Sequence, residues 1–361
     1  MSLLHRPAIR SLLFVALLSR PASAQKTGAV SNEPSPGEGV ALKAATQLIN
    51  AQDDLAKIWP GFWNAEHVVG IYPVRSGTLV LHPLDEQVGE DPAASGLVLP
   101  ATLRHRASLL PGRVGHGPFD LRFQLGDRLI AVVSLIPPFA PYRGTVSEMG
   151  WLSDSAASLV MFAVHESFHG YQMTAWRTQP GQVMVLANSL PLKPHLAMLD
   201  SQWVMDAFAA ERAALSRAVS AASCPETYMQ LKGYAAIRDK RLAKLPGPFR
   251  AYEDAHERAE GIANWVGYES VHRAVTHDPA GVRRTVLGDL EFSYRNGSGK
   301  AYQGWDAYSL WHLYVTGAAK TEILARCGPV NWQARIAEGS SLQQLLEEGS
   351  APEKDRIDVK G

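Results

Sequence analysis

Between Ala156 and Thr174 the chain offers almost no wet face. Leu159-Val160-Met161-Phe162-Ala163-Val164 is an unbroken apolar run, and Tyr171, Met173 and Trp176 follow it. The pattern predicts a helix over 156–174, and a helix apolar on most sides is buried. Inside it stand His165-Glu166-Ser167-Phe168-His169. Burying two imidazoles and a carboxylate unpaired is costly, so the fold has to supply partners for them. Helical residues four apart lie on one face, one turn apart. His165 and His169 can therefore offer ring nitrogens to one metal ion, with Glu166 beside them to hold and deprotonate a water. This H-E-x-x-H spacing is the metalloprotease arrangement, and zinc is its usual metal. Histidines in a polar core network without a metal are the alternative reading.

Two histidines do not complete a catalytic zinc site, which takes three protein ligands and a water. The third candidate lies in a second expected helix, Glu253 to Val275. Glu253, Glu257 and Glu260 repeat at i, i+4, i+7 and make one acidic face. Glu260 enters a small apolar stretch, Gly261-Ile262-Ala263, suited to close helix packing, and is the ligand candidate. Glu253 and Glu257 read as a solvated charged face, since charged residues are mostly exposed. Arg238 and Arg241 precede this helix and could balance its carboxylates. His256 is a rival ligand, or a surface or capping histidine.

These pieces resemble the gluzincin metallopeptidases, in which H-E-x-x-H on one helix is joined by a glutamate from a later one. The segments His165 to Gln172 and Glu260 to Trp265 also resemble H-E-x-F-H-x-x-Q and E-G-x-A-x-aromatic stretches of little-characterised secreted bacterial proteins of that kind. The resemblance spans about residues 153–332. It implies His165, His169 and Glu260 as Zn2+ ligands, Glu166 as general base, and a peptide or protein substrate. It also implies a Tyr or His that donates to the oxyanion. Tyr308 is the candidate, with His312, which shares its face, and Tyr314 as rivals; core packing is the other reading of all three. Many gluzincins carry an acid four residues after the glutamate ligand, bonded to a ligand histidine. Here that position is Asn264, an amide and a weaker acceptor, which affects metal tuning. A non-catalytic, metal-stabilised envelope binding protein is the alternative function.

The N-terminus reads as a secretory signal peptide. His5, Arg6 and Arg10 precede the short apolar run 11–18, and Ala22-Ser23-Ala24 is an A-x-A cleavage site. The expectation is an exported protein, periplasmic or extracellular, with no stable membrane anchor after cleavage. Export permits a disulfide between Cys224 and Cys327, and two buried thiols fit the sequence equally. Lys+Arg 35 against Asp+Glu 35 leaves no electrostatic footprint for nucleic acid.

The expected organisation is a signal peptide (1–24), a flexible leading segment (25–39), an α/β subdomain (40–150), a helical metal-site subdomain (151–350) and a loose tail (351–361). Strand-like runs at 68–72, 78–81, 96–99, 119–123 and 129–133, separated by turn residues, suggest a small mixed sheet. A single helix is expected over about 331–348. The fold class expected is α+β and zincin-like: a small mixed β-sheet in the N-terminal half, then a mainly helical half carrying the metal site.

Overall fold

The computed structural model describes residues 43–63 with gaps, 155–176, 192–291 and 304–349, and residues 68–73, 79–81, 121–125 and 128–135 by backbone alone. The expected signal peptide, leading segment and tail lie outside the described residues, as does the strand-like run 96–99.

Helical residues at 43–50, described in part, precede a short helix α1 (Gln52–Leu55). Strands β1 (Val68–Pro73), β2 (Leu79–Leu81), β3 (Leu121–Leu125) and β4 (Arg128–Leu135) follow. Their order is β2-β1-β4-β3, with β1 parallel to β4 and the two outer pairs antiparallel. The motif helix α2 runs Ser155–Ala175. A 3-10 segment (Lys193–Asp200) leads to α3 (Gln202–Ser220) and α4 (Cys224–Leu242). Helix α5 (Pro248–His256) passes through a π-turn (Glu257–Gly261) into α6 (Ile262–Ala274). After α7 (Gly281–Glu291), α8 (Gly304–Ala307) passes through a second π-turn (Tyr308–His312) into α9 (Leu313–Cys327). The described residues end in α10 (Trp332–Glu338) and α11 (Leu342–Gly349). The single helix expected over 331–348 is two, because the chain reverses at Gly339 with φ 122°, a conformation glycine adopts freely.

The α+β expectation is corrected. The part of the chain that can be interpreted in full is 81% helical and holds no strand, so the class is predominantly helical. The physical reason lies in α2. An apolar period of two in the first half marks strand character, but a helix apolar all round needs cover on several sides, and here helices and an aromatic cluster provide it. Val160, Ala163, Val164 and Phe168 are fully buried. Phe168 meets the rings of Trp59 at 5.2 Å and Phe62 at 5.0 Å, both edge-on. The Tyr171 hydroxyl donates to the Pro60 carbonyl at 2.9 Å. On α6, Gly267 admits α2 so closely that a Cβ there would lie 3.0 Å from the Met161 carbonyl oxygen.

A second apolar cluster holds Phe208, Phe249, Tyr252, Tyr308 and Leu313. Beside it lies a buried ionic network. Arg241 donates to Glu211 (2.6 and 3.0 Å) and to Glu253 (2.6 Å), while Arg238 donates to Glu253 (3.1 Å) and Asp254 (2.8 Å). This ties α3, α4 and α5 together. Cys224, at the start of α4, and Cys327, at the end of α9, form a disulfide with Cα atoms 5.4 Å apart.

Candidate metal centre

His165 and His169 sit one turn apart on α2, and Glu260 comes from the first π-turn. The His169 Nε2 lies 3.1 Å from His165 Nε2 and 3.0 Å from Glu260 Oε2; His165 Nε2 lies 3.5 Å from the same oxygen. Among the described residues these three form the group of side chains able to share one cation. Both histidine side chains are 6% exposed, whereas Glu260 keeps 21%, so the cluster meets solvent on its glutamate side.

The donor set fits a metal on two counts. Ligand atoms about 2.1 Å from a tetrahedral zinc stand about 3.4 Å apart, close to the three separations here. The second count is the chemistry of the facing atoms. Gln172, fully buried on α2, has its Nε2 3.0 Å from the Ala259 carbonyl. A carbonyl only accepts, so the amide nitrogen belongs there and Oε1 faces His169 Nδ1 at 2.8 Å. Nδ1 therefore carries the hydrogen. The Nε2 of neutral His169 is left with a lone pair directed at a carboxylate oxygen, two acceptors in contact. A metal ion between them removes that conflict, as does a second proton on His169. Burial pushes the Glu260 carboxyl up, but His169 and His165 outweigh it and hold it well below the usual carboxylate range.

Glu166 follows His165 on the same helix; its side chain lies outside the described residues. Tyr308 and His312 do not join the cluster. Tyr308 is fully buried in the second apolar cluster, packed on Phe208, Phe249 and Tyr252. The His312 ring stacks on Phe208 at 4.1 Å, and its Nε2 lies 3.2 Å from Glu211 Oε2. Burial pushes its pKa down, against Glu211. Tyr314 is the aromatic beside the centre. Its ring is parallel to His165, centroids 6.0 Å apart, and 5.6 Å from the ring of His256. His256 donates from Nε2 to the Ser309 carbonyl at 2.8 Å and is not one of the converging donors.

The solvated face expected for Glu253 and Glu257 is buried. Glu253 lies between Arg238 and Arg241. Glu257 accepts from Thr316 Oγ1 and Lys320 Nζ, both at 2.6 Å. Helical period alone could not separate a wet acidic face from one met by cations on α4 and α9. Asn264 donates to the Tyr268 hydroxyl at 2.7 Å, and that hydroxyl bonds to Asp289. The acceptor for the ligand histidine is Gln172 instead. Its signal was its position three residues after His169, on the same helical face.

No family model, no curated protein and no solved structure matches this chain.

Proposed function

We propose that this chain is an exported zinc-dependent hydrolase that cleaves peptide bonds. One observation carries the reading: two imidazole nitrogens and a carboxylate oxygen converge at tetrahedral-ligand spacing, with one side of the cluster open to solvent. His165, His169 and Glu260 would hold the ion. Zinc bound there would supply Lewis acidity toward a carbonyl and lower the pKa of a water to about 7. Glu166, one residue after His165, would be the general base toward a water there. Tyr314, whose ring lies parallel to His165, would take the oxyanion-donor role expected of Tyr308. Export is supported by the signal-like residues 1–24 and by the Cys224–Cys327 disulfide, which suits an oxidising compartment. Among the described residues no helix is long and apolar enough to cross a membrane.

The test measures zinc per chain in natively purified protein and hydrolysis of a peptide library by wild type and Glu166→Gln. The expected result is one zinc in both proteins, with turnover about 10²–10⁴-fold lower in the variant, the range for a lost general base. Native protein without bound metal overturns the reading. The withdrawal of Tyr308 and His312 into the core favours, as the second reading, a metal-stabilised envelope binding protein. That reading predicts zinc-dependent stability without turnover, and hydrolysis that depends on Glu166 eliminates it.

A further inference from the structure

The two elements that carry the ligands are joined at one side chain. Gln172 is fully buried, and its amide spans from a ligand on α2 to the backbone of the π-turn. Oε1 accepts from His169 Nδ1 at 2.8 Å, and Nε2 donates to the Ala259 carbonyl at 3.0 Å. Ala259 immediately precedes Glu260. We propose that Gln172 is the positioning residue of the metal centre: it fixes His169 in the Nδ1–H form and holds the π-turn at the distance that brings Glu260 to the two histidines. This rests on the reading that the triad holds a metal.

Other contacts act on the π-turn but touch no ligand. Thr316 and Lys320 grip Glu257 from α9. Gly261 abuts Gly317, where a Cβ would lie 2.4 Å from the Gly317 Cα. These seat the turn on α9. Toward α2, Arg258 of the turn lies over Trp176 and Gly267 packs on Met161, and Gln172 adds a bond at each end, one of them to a ligand. The amide at the other plausible position, Asn264, donates to the Tyr268 hydroxyl, which in turn bonds to Asp289. The Ala259 carbonyl also accepts the backbone N–H of Ile262, so Gln172 takes its second lone pair. The second π-turn behaves alike, its Ser309 carbonyl accepting from His256. Such turns recur at functional sites.

An amide serves here where an acid would not. A carboxylate could accept from His169 but could not donate to Ala259, and two acceptors would then face each other. Gln172→Leu removes both bonds and Gln172→Glu only the donation. Zinc dissociation constants from competition with a chelator, and 15N NMR of the neutral His169 ring in metal-free protein, read the two functions separately. In wild type the ring is expected to carry its hydrogen on Nδ1. Gln172→Leu is expected to lose that preference and to bind zinc about 10- to 100-fold more weakly, the usual effect of losing a group that orients a ligand. Gln172→Glu is expected to restore the Nδ1–H form and part of the affinity. A purely structural role would lower the melting temperature of metal-free Gln172→Leu and leave its zinc affinity unchanged, which overturns the proposal. So does a wild-type ring protonated on Nε2, a result that needs no variant to fold. Wild type that binds no zinc removes the underlying reading, and it is seen before any variant is compared.

Discussion

Gly261→Ala tests the backbone contact on which the centre is built. An added Cβ would stand 2.4 Å from the Gly317 Cα, 2.7 Å from its carbonyl carbon and 3.0 Å from the Ala318 nitrogen. Carbon atoms are comfortable at about 3.5–4.0 Å, so the π-turn and α9 must part by about 1 Å. All the obstacles are backbone, and no side chain can swing aside. Overpacking of this kind costs about 1–3 kcal/mol, offset by about 0.5–1 kcal/mol because alanine favours helix over glycine. The expected net loss is about 1–2 kcal/mol in reversible denaturation of metal-free protein. The effect on zinc is expected to be larger, because Glu260 adjoins the strained residue and a metal tolerates its ligands within about 0.2 Å. A chelator competition should show at least about tenfold weaker binding, about 1.4 kcal/mol. Gly233→Ala is the control: the site is exposed on α4 and nothing lies within 4 Å of its Cβ. It should gain about 0.5–1 kcal/mol and leave zinc binding unchanged. A Gly261→Ala protein as stable as wild type, with the same zinc affinity, would refute the close helix contact.

Two further outcomes follow from the buried groups. Burial pushes the Glu211 carboxyl up, but Arg241 and His312 outweigh it and lower its pKa from 4.5 to about 2. A depressed carboxyl stabilises the fold above its unfolded value and loses that contribution as pH falls, so about 3 kcal/mol should vanish between pH 4.5 and 2. Denaturation midpoints that stay flat over that window, or Glu211→Gln showing the same acid limb as wild type, would count against it. Replacing both Cys224 and Cys327 by serine should cost about 2–5 kcal/mol, since the bridge closes a loop of 103 residues. Equal stability with and without reductant would show that the bridge does not form in solution.

How much could be read beforehand differs by element. The motif helix was legible to within a residue at each end, because an apolar run that long has few other ways to fold. Glu260 was legible as the third member of the cluster because it stands where a charged face runs into glycine and alanine. The rest of that acidic face was misread. Glu253 and Glu257 look like any solvated stripe until Arg238 and Arg241 of the preceding helix, and Lys320 from α9, close on them. Tyr308 and Tyr314 could not be ranked, because a π-turn that begins at Tyr308 separates the two. One extra residue per turn rotates every later side chain, and no composition marks where it occurs.

The amino-acid sequence determined that His165 and His169 share a face of a buried helix and that Glu260 opens a tightly packed one. Helical periodicity and hydrophobicity are local properties, and they suffice for that. Tertiary structure decided the rest: that Gln172 rather than Asn264 orients His169, that Tyr314 rather than Tyr308 stands by the centre, and that the described fold is mainly helical. Each depends on which helix lies across from which, a matter of packing between segments up to about 150 residues apart that no local pattern encodes.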